Sequence, residues 1–322
     1  FTTDGMAYKL KTWRLPLGGR TSKGKPIVNI LPIPTGVGIA AILPIDRDEL
    51  EWDDLQIVFA TSKGSVRRNR LSDFTNVKSN GKIAMKFEGD DENTRLINAR
   101  ICDEGDDVML VTNKGRAIRF PVTDVRVFNS RSSTGVRGIR LLKDSDEVVS
   151  MSVIRHFEAT SEERTAYLKM RRQLAGADET ETPDDDEEQV EGAITPERFE
   201  EMQAAEELIL TITELGLGKL SSSHDYPVRG RGGQGVTAFT KAMPGGDLVA
   251  CFPVGMDDQV MLATSKGQSI RCPVNGISFR SRGAGGVKVF NTGKGESVVS
   301  VAWIAETEDE DDVVDAEAPT DA

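Results

Sequence analysis

Cysteine and histidine are scarce in this chain, with three and two copies respectively in 322 residues. Cys102, Cys251 and Cys272 form no C-x-x-C pair and lie in apolar or mixed segments. That excludes a disulfide framework and a zinc ribbon, and points to a reducing compartment. With only His156 and His224 available, a histidine-built metal centre or triad has almost no raw material, and both read as ordinary surface or loop residues. Long apolar runs are also missing. The nearest is Val28 to Ile45, 18 residues without a charge, but Pro32, Pro34 and Pro44 with Gly36 and Gly38 would break a spanning helix. Two buried strands joined by a Pro-Thr-Gly turn fit this stretch better, so no membrane partner is expected. No signal peptide is visible and the chain opens on Phe1, so it reads as a piece of a longer polypeptide.

An overall basic charge is lacking too: the formal net charge is −12. Its distribution matters more than its sum. Residues 155–208 hold 6 basic and 17 acidic side chains, a net of −11, and residues 306–322 hold 9 acidic and no basic ones, a net of −9. Removing both from −12 leaves +8 for the remainder. An acidic insert and tail therefore mask a basic body, and partners are inferred from that body.

What is present is a repeat. Five segments join an apolar run to a basic run through a polar turn ending in glycine: FTTDGMAYKL (1–10), FATSKGSVRR (59–68), LVTNKGRAIR (110–119), TITELGLGKL (211–220) and LATSKGQSIR (262–271). The turn glycines Gly5, Gly64, Gly115, Gly216 and Gly267 are 51 to 59 residues apart, except for one interval of 101 that holds an insertion. Each segment reads as a tight hairpin. About twenty residues after each turn comes a second glycine (Gly24, Gly81, Gly135, Gly235, Gly286), then a short alternating strand: PIVNILPI, KIAMKF, VRGIRL, VTAFTKA and VKVFN. A further strand closes most units (RLINARI, EVVSMSVI, DLVACFPV, SVVSVAWI). Four short strands per unit of about 50 residues predict an all-β, propeller-like array of blades.

The predicted organisation is three repeats over 1–154, an acidic insertion over 155–208, two repeats over 209–305, and a disordered acidic tail over 306–322. In the insertion, Thr160-Ser-Glu-Glu163 has capping-box spacing before a helix to about Leu174. Residues 176–192 have a disordered composition, and Thr195-Pro196-Glu197 opens a second helix to about Glu207. A helical hairpin protruding from one blade is expected.

Gly230 to Gly235 spells G-x-G-x-x-G. A dinucleotide loop should follow a buried strand and open a helix; this one follows a polar stretch and precedes VTAFTKAMPGG, which is β-like. The alternative is an inter-strand loop whose siblings are also basic. The candidate nucleic-acid contacts are Arg14, Arg20, Lys23 and Lys25 in the first repeat, and Arg67, Arg68, Arg70, Lys78 and Lys82 in the second. The third contributes Arg126, Arg131 and Arg137; the fourth, Arg229 and Arg231 with Gly232, Gly233 and Gly235; the fifth, Arg280 and Arg282. Arranged radially, such loops form a basic belt in which cations meet phosphates and glycines admit close backbone approach. Such a belt reads backbone and bendability rather than bases.

FTTDGMAYKLKTWRLP, GKPIVNILPI, FATSKGSVRRNRLSDF, STGVRGIRLLKDSDEVVSM and DQVMLATSKG resemble the C-terminal domains of bacterial DNA gyrase A proteins. The resemblance covers nearly all of the chain except the insert and tail. It implies a β-pinwheel of normally six blades that wraps duplex DNA to support ATP-dependent negative supercoiling. Its partners would be the rest of the gyrase A polypeptide and the gyrase B polypeptide, in an A2B2 heterotetramer of the bacterial cytoplasm, at the nucleoid. It also implies no cofactor in this chain, ATP and magnesium being bound elsewhere in the complex. The family's seven-residue box, Gln-Arg-Arg-Gly-Gly-Lys-Gly, is matched in Arg229 to Gly235 at Arg231, Gly232, Gly233 and Gly235. It departs at Arg229, Gly230 and Gln234, so 229–235 reads as a box-like second copy. None of Tyr8, Tyr167 and Tyr226 follows an arginine, so no catalytic residue for DNA cleavage is expected. Two alternatives stay open: the related domain of topoisomerase IV, and a propeller that only docks proteins. The acidic insert and tail, if they compete with DNA for the belt, would act as a brake on wrapping.

Overall fold

The computed structural model describes residues 1–18, 24–45, 48–87, 93–130, 133–174, 194–240 and 245–304. Each turn of the repeat folds as the sequence predicts. The turn glycines all take a positive φ, between 75° and 81°. In the last four repeats a threonine accepts the N–H four residues on, just past the turn glycine: Ser65 N to Thr61 Oγ1 at 3.1 Å, Arg116 N to Thr112 at 3.1 Å, Leu217 N to Thr213 at 3.1 Å and Gln268 N to Thr264 at 3.2 Å. The repeated Thr-x-x-Gly is thus a turn signature with a mechanism.

The blades are not what a simple repeat would build. The second repeat's sheet runs Leu96–Cys102, Gln56–Thr61, Ser65–Arg70 and then Val136–Arg137, which belongs to the third repeat. The third sheet ends on Val236–Thr237 from the fourth repeat, and the fourth on Val287–Lys288 from the fifth. In the first repeat, Met6–Ala7 pairs with Lys82–Ile83 of the second. Each of the second to fifth repeats therefore lends its short strand to the repeat before it. The fifth sheet, Ser269–Pro273, Gln259–Thr264 and Val298–Ile304, has three strands. No lent strand reaches it among the described residues.

The lent segment crosses the turn glycine of its host. Gly138 and Ile139 donate to the Gly64 carbonyl at 2.8 and 3.2 Å, Ala238 to that of Gly115 at 2.7 Å, and Val289 to that of Gly216 at 2.9 Å. This close approach is the second reason for glycine at the turn, after its φ.

Around the axis, every repeat contributes aliphatic side chains: Ile39 and Ala40, Leu96 and Ile97, Val149, Val249 and Val299 share the lining of a central cavity of about 300 Å³. Sheets pack face to face around this axis, so strand Gln56–Thr61 is buried on both sides, with Ile57, Val58, Phe59 and Ala60 all solvent-free. Burying Phe59 alone is worth about 2–3 kcal/mol. Among the described residues no further sheet packs on the fifth blade's far face, and Val299 and Trp303 remain more than half exposed.

Two expectations fail here. PIVNILPI forms a single 3-10 turn at Ile27–Asn29 rather than a strand. The stretch 28–45 contributes one isolated bridge, Thr2 to Ile39, and Val28, Ile39 and Ile42 are exposed, so two buried strands are not formed. Among the described residues no helix is long and apolar enough to cross a membrane.

The insertion carries helix α1 (Ser161–Leu174) and helix α2 (Pro196–Ala204). The capping box closes, with Thr160 N on Glu163 Oε2 at 2.8 Å and Glu163 N on Thr160 Oγ1 at 3.1 Å. Tyr167, Leu168, Phe199 and Met202 form a small core between the helices. His224, read as an ordinary loop residue, is instead buried beneath this core. Its ring stands edge-on to Phe157 and Tyr167, with centroids at 5.4 and 5.1 Å, and its Nε2 donates to the Met202 carbonyl at 2.8 Å. Burial in an apolar site disfavours the imidazolium, so its pKa is lowered. His156 is also no idle surface residue: its Nδ1 donates to buried Asp107 at 2.9 Å. Burial lowers its pKa, but the Asp107 hydrogen bond and charge outweigh that and raise it. The disordered stretches expected over 176–192 and 306–322 lie outside the described residues.

Candidate nucleic-acid interface

Because the lent strand is outermost, the loop leading to it runs along the outer rim of the preceding blade. Parallel bridges mark where each loop joins its host: Val127 on Arg68, Val228 on Arg119 and Phe279 on Leu220. Phe128, Arg229 and Arg280 then donate to the same host residues' carbonyls at 2.7 to 2.8 Å. Arg229 and Arg280 therefore occupy one pseudo-equivalent rim position.

The box-like loop is stitched to its neighbour at several points. Gly232 N donates to the Gly138 carbonyl at 2.6 Å, and Arg140 N to the Gly233 carbonyl at 2.8 Å. Arg231 donates through Nε to the Asp124 carbonyl at 2.9 Å and through Nη1 to the Arg137 carbonyl at 3.1 Å. Arg116 holds the loop's far end, donating to the carbonyls of Gln234 at 3.2 Å and Gly235 at 2.5 Å. These bonds bring Arg137, Arg140, Arg229 and Arg231 to one rim junction, and all four are exposed. Arg126 adds an exposed guanidinium stacked on Phe128, 4.0 Å from the ring centroid. The G-x-G-x-x-G lies between a 3-10 turn (Ser223–Asp225) and a two-residue strand, and no helix follows to receive a pyrophosphate.

Several predicted contacts are structural instead, and the reading is corrected there. Arg282 makes the same staple as Arg231, from Nε to the Asp225 carbonyl at 2.8 Å and from Nη1 to the Thr237 carbonyl, but it is buried. Arg67 is fully buried, with Nε on Asn69 at 2.8 Å and Nη1 on the Ser133 carbonyl at 2.8 Å. Arg68 is buried with Nη1 on Gln56 at 2.9 Å. Half-buried Lys82 places its ammonium on the Asp73 carbonyl at 2.6 Å. These cations are spent on rim-loop carbonyls and polar side chains, so they hold the belt's shape.

Arg14, Lys25, Arg70 and Lys78 are exposed, Arg14 lying over Trp13 at 5.0 Å, and Arg280 is half-buried. Gly232 and Gly235 take φ of 84° and 69°. Gly233 has open space at its Cβ position up to Ile118, 3.8 Å away. Arg20, Lys23 and Arg131 lie outside the described residues.

Sequence reading missed Arg140, and it missed the latch made by Lys219. That fully buried ammonium donates to the carbonyls of Ser281 at 2.8 Å, Ala284 at 2.7 Å and Arg282. A signal was available: aligned repeats put Arg67, Ile118, Lys219 and Ile270 at one strand position, and isoleucine there marks an inward face. Tyr226 is likewise buried, and Tyr167 lies in the insert core. Helix α1 packs on the Ser223–Asp225 turn that precedes the box-like loop, and the pKa of its Arg164 is lowered, chiefly by burial and then by the charges of Arg119 and Arg229.

Lent outer strands, rim loops stapled across blade boundaries and a row of exposed guanidiniums define a strand-exchanged β-propeller with a basic rim. The chain belongs to the family described as "DNA gyrase C-terminal domain, beta-propeller", whose sequence pattern matches residues 1–46, 56–99, 106–155, 207–254 and 258–302. It is 47% identical over 325 residues to the DNA gyrase A protein of Granulibacter bethesdensis, and 42% identical over 316 residues to that of Rickettsia bellii. Both alignments take in 97% of this chain but 34% of the relative, so the chain spans about a third of the length of these curated relatives. Among solved structures, the C-terminal domain of DNA topoisomerase IV matches with a TM-score of 0.68 at 20% identity, over 94% of this chain and 77% of that one. A DNA gyrase A C-terminal domain matches with 0.65 at 20% identity, over 94% and 80%. These two show the shared fold.

Proposed function

We propose that this chain binds and bends duplex DNA along its rim, as the wrapping part of a gyrase A protein. The observation that carries the reading is the junction of Arg137, Arg140, Arg229 and Arg231, whose backbones are hydrogen-bonded into one exposed surface. Arginine there is charge-matched to phosphate, and the outward curve of the rim suits a bent backbone. The DNA gyrase A relatives support the same reading. The chain itself carries out no cleavage and no ATP hydrolysis. ATP, magnesium, the gyrase B protein and the cleaving tyrosine belong to the rest of an A2B2 complex in the bacterial cytoplasm.

Binding is tested by titrating a duplex of roughly 100 base pairs across a salt series, where each phosphate contact contributes a slope of about −0.9 in log K against log[salt]. Arg126, Arg137, Arg140 and Arg229 alone give an expected slope steeper than about −3.5. Salt-insensitive or absent binding would refute the reading.

A further inference from the structure

The rim junctions are not alike. Between the blades hosting the third and fourth repeats' loops, the box-like loop closes on residues 137–140 through the bonds described above. One junction earlier, the residue aligned with Arg231 and Arg282 is Ser130, and the Asp73 carbonyl accepts from Lys82 instead. There a cleft of about 430 Å³ opens between the segment lent by the second repeat and the rim loop of the third. Three cations line it from three separate pieces of chain: Lys63 from the hairpin turn, Lys86 from the lent segment, and Arg137 from the next lent strand. Ser65, Thr94 and Thr134 add hydroxyl groups. No carboxylate stands among the described lining residues. Lys86 and Arg137 are exposed and Lys63 is half-exposed, so their ammonium and guanidinium groups are accessible.

We infer that this cleft is a second phosphate-binding site of the rim, in which Lys63, Lys86 and Arg137 grip the backbone of a duplex. The inference rests on the DNA-binding reading and adds two residues outside the basic loops. Converging cations backed by hydroxyl donors match the anionic and hydrogen-bond-accepting character of a phosphodiester. Arg137 is shared: its carbonyl accepts the Arg231 staple while its side chain lines the cleft. The cleft is thereby continuous with the junction built on the box-like loop. The acidic run Glu88, Asp90, Asp91 and Glu92 follows Lys86 in sequence and lies outside the described residues.

The test compares the whole chain with a Lys63→Gln/Lys86→Gln variant, using anisotropy of a labelled duplex across a salt series. A matched control, Lys266→Gln/Lys294→Gln, removes the same charge from the fifth repeat, where Lys266 occupies the turn position of Lys63. The expected result is a loss of roughly ten-fold or more in affinity near 0.1 M salt, and a slope shallower by about 1.8. The control should stay within about two-fold, and Lys63→Arg/Lys86→Arg should keep wild-type binding. Should the Gln variant match its control while the unaltered chain still binds with a steep salt dependence, the cleft is not a phosphate site and the rim reading stands. Should the unaltered chain not bind, both fall. A loss in the Gln variant that the Arg variant shares would mark a structural defect and overturn the assignment.

Discussion

Gly64→Ala and Gly267→Ala form a matched pair that tests strand lending between repeats. Both glycines sit at the same turn position with nearly the same φ, +81° and +80°, so an alanine carries the same left-handed penalty of about 1–2 kcal/mol at each. Their surroundings differ. A Cβ on Gly64 would meet Ile139 Cγ2 at 2.8 Å and the Ile139 carbonyl oxygen at 2.9 Å, whereas at Gly267 nothing lies within 4 Å. Relieving the first clash displaces the lent segment whose two N–H groups bond the Gly64 carbonyl, at roughly 1 kcal/mol for each weakened bond. Gly64→Ala should therefore cost about 2 kcal/mol more than Gly267→Ala, or roughly 4–8 °C in Tm for a domain of 150–250 residues and somewhat less in a longer chain. Differential scanning calorimetry of the two variants reads this directly. Equal Tm shifts would mean that the 136–139 segment does not sit on the second blade.

Other outcomes follow from the rim and the insert. Arg229→Ala should leave Tm within about 1 °C and flatten the salt slope by about 0.9 on every duplex sequence; sequence-dependent loss would contradict backbone readout. Arg231→Ala should lower both Tm and affinity, because two side-chain bonds to Asp124 and Arg137 are lost, and an unchanged Tm would remove the staple from the account. For His224, burial lowers the folded pKa from 6.5, so the unfolded chain binds a proton first as pH falls. Its stabilising contribution is present above 6.5 and is lost as pH falls from there through the lower folded value. His156, raised above 6.5, has the opposite sign: its contribution is present below 6.5 and is lost as pH rises through the folded value. Melts at about pH 5.5 and 7.5 should show the acid-side loss shrinking in His224→Gln and growing in His156→Gln; identical pH profiles would refute the burial of His224.

The repeat was legible because its signal is local. Thr-x-x-Gly fixes a hairpin turn within five residues, and the spacing of the turn glycines counts the repeats, of which the last four build sheets of three or four strands while the first adds Met6–Ala7 to a two-stranded one. The capping box at Thr160 was legible for the same reason. Strand lending was not, since Val136–Arg137 alternates in the same way whichever sheet receives it; only the position of Gly64 beneath Ile139 shows the host. The roles of the basic residues were half legible. Arg229 and Arg282 look equivalent as letters in a basic loop, yet one is exposed and the other buried against Asp225. They stand two places apart in the crossing: Arg229 follows the residue that bridges to the host strand, whereas Arg282, like Arg231, turns back to the aspartate carbonyl, and of that pair Arg282 alone is buried. His224 was misread because its burial is created by helix α1 and helix α2, which are far from it in sequence.

The central claim is that the rim imposes a curved path on duplex DNA. Ligating a singly nicked plasmid in the presence of rising amounts of the chain, then resolving the topoisomers after deproteinisation, tests it most directly. Wrapping predicts a distribution displaced steadily in one direction, with the displacement abolished by high salt and reduced by Arg229→Ala. A distribution that coincides with that of the protein-free plasmid, under conditions where the chain is bound, would show that the rim holds DNA without wrapping it along a handed path and would contradict the account.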